Sequence, residues 1–277
     1  MQRVDPQLKS LSPGGRLRSA AAVFLSGCSL PVGAWLLYTI GLPIFDVLTG
    51  GTQFAPLSSL GVLLQLSAVL FALGRAWPLS RLIDVVGLAV PLTWAAEWLG
   101  STTGFPFGPY HYTDALQPQL LGVPALIPLA WLMMLPPAWA VAAAVVSPRE
   151  RAPFALVAAL AFTAWDLYLD PQMVARGLWV WDTTGTGPLA SYFGIPWVNF
   201  LGWVLTAFVV TFVCAPRDLP GRPLAVVYTL TWLLQAIGLG VFWGQPGPAL
   251  VGLVVMGVFV ALYWRTELRN TASAGGG

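Results

Sequence analysis

The stretch Pro153–Asp170, PFALVAALAFTAWDLYLD, is uncharged over its first thirteen residues and then places Asp166 and Asp170 close together. An apolar run of about 17–25 residues is long enough to cross a bilayer as a helix. Similar runs occur at about 20–41, 56–74, 82–100, 124–146, 196–214, 224–243 and 248–264. The sequence therefore predicts an all-α fold, a polytopic transmembrane helical bundle of about eight spans.

The composition agrees with a membrane protein. Hydrophobic residues make up 57% of the 277-residue chain and charged residues 9%, with a mean hydropathy of +0.75, whereas about a quarter of the residues in a soluble domain are charged. The first run is too long for a signal peptide and more spans follow, so we interpret it as a retained helix. We expect a cytoplasmic N-terminal segment (1–19), a single transmembrane domain (20–265) and a flexible C-terminal tail (266–277).

The cationic residues predict the orientation. With eight spans, 12 of the 13 Lys and Arg residues fall on one side of the membrane and only Arg176 on the other. Cationic residues in short loops stay in the cytoplasm, so both termini are predicted to be cytoplasmic. The net charge of +2 reflects this topology and does not indicate a nucleic-acid partner. With one histidine and two isolated cysteines, the sequence predicts no metal site and no disulfide framework.

Polar side chains collect at the predicted outer ends of three spans. Glu97 ends the third span, Asp166 and Asp170 end the fifth, and Asn199 begins the sixth. Charged residues inside a membrane are costly and usually functional. Residues four apart lie on one helical face, so Asp166 and Asp170 should point the same way. The alternative for Asp170 is a turn residue that ends the helix before Pro171.

A weak internal duplication relates residues 82–146 to residues 153–214. Tyr110 follows Glu97 by 110 − 97 = 13 residues, and Trp179 follows Asp166 by 179 − 166 = 13 residues. Each loop then ends with a similar pattern of glycine, aliphatic residue and proline, Gly122-Val123-Pro124 and Gly194-Ile195-Pro196. Repeats that run in the same direction place a shared cavity between them. The duplication predicts that Glu97 and Asp166 face each other across it.

The loop Gly104–Tyr112, GFPFGPYHY, contains the only histidine of the chain. Its glycines and prolines favour a compact turn, and non-helical backbone at a membrane boundary is tolerated where it lines a cavity or packs on protein. We interpret the loop as a lid over the carboxyl groups. The alternative is that its aromatic residues, and the histidine with them, only form part of the interfacial belt of a membrane protein.

These motifs together resemble the CruF-type carotenoid hydratases, integral membrane proteins similar to the bisanhydrobacterioruberin hydratases. The resemblance rests on the segments Glu97–Gly100, Gly104–Tyr112, Asp166–Pro171, Trp179–Trp181 and Gly194–Trp203. It implies a carotenoid biosynthesis enzyme of the bacterial cytoplasmic membrane, which meets its carotenoid substrate in membrane lipid beside other enzymes of the pathway. Water, the co-substrate, would add to the terminal double bond of an acyclic ψ end, as in lycopene or γ-carotene, and give a tertiary hydroxyl.

Hydration of such an alkene needs an acid that forms a tertiary carbocation and a base that deprotonates the attacking water. The predicted catalytic residues are Glu97, Asp166 and Asp170, with the acid and the base left unassigned. Aromatic faces stabilise cations, Asn199 could hold the water and His111 could pass protons. The predicted substrate-binding residues are Trp94, Phe105, Phe107, Tyr110, His111, Tyr112, Trp165, Trp179, Trp181, Asn199 and Trp203. No cofactor motif is visible in the sequence, and none is expected.

Three alternatives remain at this point. A carotenoid end-group cyclase would use the same acid and the same cation stabilisation but exclude water. A proton-coupled transporter would also carry acids in a helical bundle, although its charges usually lie near the midplane on broken helices. A purely structural membrane protein would explain the tryptophans and leave the three acids unexplained.

Overall fold

A computed structural model describes residues 22, 24–182 and 191–274, except for the side chains of residues 272 and 274. Within these ranges the chain forms α1 (Leu30–Leu48), α2 (Phe54–Ala76), α3 (Leu79–Thr103), α4 (Leu126–Ala142), α5 (Arg151–Ala175), α6 (Trp197–Cys214), α7 (Gly221–Ile237) and α8 (Pro246–Ala274). A π-helical turn, Gly238–Phe242, extends α7. All of these helices except the 17-residue α4 are long and apolar enough to cross a membrane, α7 together with its π-helical turn. The predicted all-α polytopic bundle is confirmed, and the chain is a multi-pass membrane protein.

The two ends of the bundle differ from the prediction. Helix α1 begins at Leu30, with Pro31 in its first turn, where the missing N–H of proline costs no helical hydrogen bond. The described residues 22, 24 and 25 of the first predicted span are also helical, but residues 26–29 separate them from α1. Helix α8 continues to Ala274, so the tail predicted to be flexible from residue 266 is helical over most of its length. An ion pair between Glu267 and Arg222 of α7 holds this extension against the bundle. The predicted N-terminal segment 1–19 lies outside the described residues.

Helix α4 is the centre of the bundle. It packs against α2, α3, α5 and α7, and 14 of its 17 residues are buried. Its neighbours instead expose leucine, isoleucine and phenylalanine on their outer faces. Since lipid is as apolar as these side chains, close packing and internal hydrogen bonds hold such helices together. One of these bonds runs from Trp139 Nε1 of α4 to Thr211 Oγ1 of α6, over 2.8 Å.

Arg176, the cation predicted to lie alone on the outer side, is paired. Its Nη2 lies 2.5 Å from Oδ2 of Asp46, whose side chain is 1% exposed. The same oxygen accepts a hydrogen bond from Trp243 Nε1 at 3.0 Å. This cluster ties the end of α1 to α5 and to the chain that follows α7. The orientation of the bundle in the membrane stays a prediction.

The two long loops carry short antiparallel strands. They are β1 (Tyr110–Tyr112), β2 (Gln119–Leu120), β3 (Val123–Pro124), β4 (Trp179–Trp181), β5 (Ser191–Tyr192) and β6 (Ile195–Pro196). Strand β2 pairs with β3 and β5 with β6, each through a two-residue turn in which both residues have positive φ, Leu121-Gly122 and Phe193-Gly194. The two proposed repeats thus share one order of elements: helix, strand, hairpin, helix.

Candidate active site

Strands β1 and β4 bring the two loops together above the bundle. They pair antiparallel with Tyr110 opposite Trp181 and Tyr112 opposite Trp179. Alternate residues of a strand point to opposite faces, so both tyrosines and both tryptophans face the same side. The indole of Trp181 stacks on Tyr110 at 5.6 Å between ring centroids and donates a hydrogen bond to the carbonyl of Phe107. An aromatic layer built from both repeats therefore covers the ends of α3 and α5.

Glu97, near the end of α3, lies beneath this layer. Its side chain is almost fully buried and accepts three hydrogen bonds: from the Tyr110 and Tyr112 hydroxyls to Oε2, at 2.5 Å and 2.7 Å, and from Trp131 Nε1 to Oε1, at 2.8 Å. Burial and the charge of Glu97 raise the pKa values of both tyrosines well above their ordinary range. Both hydroxyls therefore keep their protons and remain donors to the carboxylate.

A second carboxyl group comes from α5. Asp170 accepts a hydrogen bond from Trp179 Nε1 at 3.1 Å and another from the side-chain amide of Asn199. The same amide lies 3.3 Å from Asp166 Oδ2, so the carboxyl groups of both aspartates lie beside one amide nitrogen. The amide nitrogen of Asn199, the residue predicted to hold the attacking water, contacts both aspartates. Both carboxyl groups are almost fully buried, and Glu97 is near enough to interact electrostatically with each of them.

Phe107 fixes the lid loop to the bundle. A Cβ atom added at Gly100 would lie 2.5 Å from the Phe107 ring, and one at Gly202 would lie 2.7 Å from it and 2.6 Å from the carbonyl oxygen of Pro106. Glycine is therefore required at both positions for the loop to enter between α3 and α6. The ring is 1% exposed, so the loop is inserted into the protein and does not lie free at the surface.

We expect Gly202→Ala to displace the lid loop. The added methyl group would overlap backbone, which cannot rotate away, so stability should fall by about 1–3 kcal/mol, measured as thermal unfolding in detergent. Gly87→Ala is the matched control, because that helical glycine has open space around its Cβ position, and it should be neutral. Equal stability of the two variants would contradict the tight docking of the loop.

A cavity lies between Glu97 and Asp170 on one side and the aromatic layer on the other. Of the predicted site residues, it is lined by Glu97, Phe107, Tyr110, Tyr112, Trp165, Asp170, Trp179, Trp181, Asn199 and Trp203. The rest of the wall is mainly aliphatic and includes Leu116, Ile127, Met133 and Leu169. A mostly apolar cavity with a few convergent polar groups is typical of a small-molecule site.

Four predicted site residues do not line this cavity. Asp166 lies behind Asp170 and Asn199, with Oδ1 unpartnered among the described residues. Trp94 stacks on Trp98, one turn further along α3. Phe105 is 60% exposed, because its neighbour Phe107 takes the slot between the helices. His111 points to the outer face of β1, where its Nδ1 lies 2.9 Å from Asp182 Oδ1.

Trp131 of α4 is the main site residue that the sequence reasoning missed. It donates to Glu97 and stacks on Trp203 with 4.6 Å between ring centroids. The duplication could have identified it, since Trp131 and Trp203 occupy equivalent positions, seven residues after Pro124 and Pro196. No group of three His, Cys, Asp or Glu side chains suited to a metal ion occurs in the described part of the chain.

Helix α5 also continues through Pro171, which the sequence had left as the point where it could end. Proline has no N–H, so the carbonyl of Leu167, four residues earlier, loses its usual helical partner. The hydroxyl of Tyr192 donates to this carbonyl at 3.0 Å. The second loop thus satisfies the group that the proline leaves free, and Asp170 remains on a regular helix.

Comparison with known proteins relates the chain to carotenoid biosynthesis. The chain is 29% identical over 120 residues to the bisanhydrobacterioruberin hydratase of Haloarcula japonica, a match that covers 42% of this chain and 39% of that protein. The chain thus matches less than half of that relative's length. No solved structure is detectably similar. The family model described as carotenoid biosynthesis protein matches residues 57–260. Since this match includes every helix that contributes to the cavity, the chain belongs to the carotenoid biosynthesis protein family.

Proposed function

We propose that this protein is a carotenoid hydratase of the bacterial cytoplasmic membrane. It adds water to the terminal double bond of an acyclic end group, of the lycopene or γ-carotene type, and produces a tertiary alcohol. One observation carries the proposal: Glu97 of α3 and Asp170 of α5 line the same aromatic-walled cavity. The similarity to a hydratase supports the same chemistry.

The walls of the cavity suit a hydrocarbon end group that becomes positively charged. Trp131, Trp165 and Trp203 form one side, and Trp179 and Trp181 of the aromatic layer form another. The face of an aromatic ring attracts a cation without forming a bond to it. Such walls stabilise the carbocation and leave water as the nucleophile.

Asp170 is the proposed acid. Its carboxyl group lies beside that of Asp166, because the side-chain amide of Asn199 donates to both. Two adjacent buried carboxyl groups cannot readily both ionise, so the pair retains a proton. Asp170 lines the cavity and Asp166 does not, which makes Asp170 the donor. The alkene π electrons form the new C–H bond at the less substituted carbon, and the positive charge remains on the tertiary carbon.

Glu97 is the proposed base. Three hydrogen-bond donors from Tyr110, Tyr112 and Trp131 converge on its carboxylate, and such donors stabilise an ionised carboxylate. Water attacks the cation and gives its proton to Glu97. Return of a proton from Glu97 to Asp170 completes the cycle. No atom needs an external oxidant or reductant in these steps, so the proposal includes no cofactor.

The test is to express the chain in cells that accumulate lycopene and to analyse the pigments by chromatography and mass spectrometry. A gain of one water for each acyclic end is expected. Asp84→Asn, a change of an exposed acid on the same helix as Glu97, is the matched control and should leave the products unchanged. A ring-containing isomer of unchanged mass would identify a cyclase, and unchanged pigment with folded protein would contradict any action on this substrate.

A further inference from the structure

A second cavity adjoins the one that holds the acids. It lies between α1, α2, α5 and α7. The two cavities share the wall residues Ser58, Val62, Met133, Trp165, Leu169 and Met173. We call it the second compartment. It is separated from the site of protonation only by side chains that both spaces touch.

The wall of the second compartment includes several uncharged polar side chains. Besides Ser58, its wall includes Thr39, Gln65, Gln172, Thr231 and Gln235. Burying amide and hydroxyl groups against hydrocarbon costs free energy unless they find hydrogen-bond partners. The hydroxyls of Thr39, Ser58 and Thr231 donate to backbone carbonyls of their own helices, and the Gln65 amide donates to Thr231. An entirely apolar occupant, such as the polyene chain of a carotenoid, would leave the polar groups that the protein does not pair against hydrocarbon.

Two buried groups in this wall have no hydrogen-bond partner among the described residues. They are the indole Nε1 of Trp165, a donor, and Oε1 of Gln172, an acceptor. Both side chains are almost completely buried. Unpaired buried polar atoms are rare in proteins, and a bound water is a common explanation. Water also fits the chemistry of this pair, because it donates and accepts hydrogen bonds.

These two residues lie in a row along α5 that ends at the first cavity. They are 172 − 165 = 7 residues apart on α5, two helical turns, and therefore lie on the same face. Trp165 belongs to both cavities, whereas Gln172 lines only the second. A water that moved from Gln172 to Trp165 would therefore approach the cavity in which the cation forms.

We propose that the second compartment binds water and supplies it to the carbocation. This inference rests on the proposed hydratase function. The oxygen of a delivered water bonds to the tertiary carbon, and its proton passes to Glu97, so the step is balanced. If the supply fails, the cation loses a proton again and returns to an alkene. Substitutions in the compartment should therefore change the share of cations that water captures more than the rate at which the cation forms.

The test uses membranes that contain the full chain, suspended in D2O with lycopene. A cation that forms and reverts leaves deuterium in the recovered alkene, whereas a captured cation appears as alcohol. Gln172→Leu should lower the ratio of alcohol to deuterated alkene about fivefold, the effect of losing one hydrogen bond to water. Thr231→Val, which keeps the shape of the side chain, should lower it in the same direction.

Gln245→Leu is the matched control. That glutamine also has an unpartnered buried Oε1 among the described residues but lies outside both cavities, so the ratio should not change. An unchanged ratio in Gln172→Leu and Thr231→Val would overturn the proposal, as would an equal change in all three variants. Absence of alcohol from the unmodified protein would instead contradict the hydratase function itself.

Discussion

Asp170→Asn is expected to remove hydration and deuterium exchange together. In the proposed mechanism this carboxyl group gives the alkene its proton, and an amide cannot replace it. General acid catalysis contributes about 10²–10⁴-fold, so the rate of alcohol formation in membranes should fall by about a thousandfold. Because formation of the cation is slowed by the same factor, the deuterium in the lycopene recovered from D2O should fall to near background.

Asp166→Asn distinguishes the role of Asp166 from that of Asp170. Asp166 is buried behind Asp170 and does not line the cavity, so its change should disturb the position and the proton of Asp170 without removing the donor. We expect a loss of about tenfold, near the effect of one charge-assisted hydrogen bond. A larger loss in Asp166→Asn than in Asp170→Asn would contradict the assignment of the acid.

Glu97→Gln is expected to remove hydration and to keep deuterium exchange. Glutamine is the same size and still accepts hydrogen bonds, but it cannot take the proton of the attacking water. Alcohol formation should fall by about a hundredfold, while the recovered lycopene still gains deuterium, because Asp170 can protonate the alkene and take the proton back. Measurement of alcohol and of deuterated alkene in the same sample distinguishes this variant from Asp170→Asn.

Two controls accompany the Glu97 prediction. Tyr112→Phe removes one of the three donors to Glu97 and leaves the carboxylate in place, so hydration should fall by no more than about tenfold. Asp84→Asn should behave as the unmodified protein. Loss of deuterium exchange in Glu97→Gln would show that Glu97 is the acid and would reverse the proposed roles.

The sequence predicted the helices and the acids because both follow from local rules. Apolar length defines a span, and a carboxylate within a span is costly enough to indicate a function. These rules identified Glu97, Asp166 and Asp170 on the correct helices. They could not show that Asp170 faces the cavity and Asp166 lies behind it, because this depends on how α5 is rotated against α3 and α6.

The pairing of β1 with β4 could not be read from local patterns. The partners Tyr112 and Trp179 are 179 − 112 = 67 residues apart, and nothing near either strand specifies the other. The only indication of this pairing in the sequence was the duplication, which places Tyr-x-Tyr and Trp-x-Trp at equivalent positions of the two repeats. The same holds for α5 beyond Pro171, where the hydroxyl of Tyr192 from a later loop makes the continued helix acceptable.

The most direct test of the central claim is the source of the oxygen in the product. Membranes that contain the full chain would be incubated with lycopene in water enriched in ¹⁸O, and the alcohol would be analysed by mass spectrometry. Our account predicts one ¹⁸O for each hydrated end, and no labelled alcohol from Asp170→Asn. An alcohol whose oxygen does not come from water would contradict hydration, and so would a labelled product that persists in Asp170→Asn.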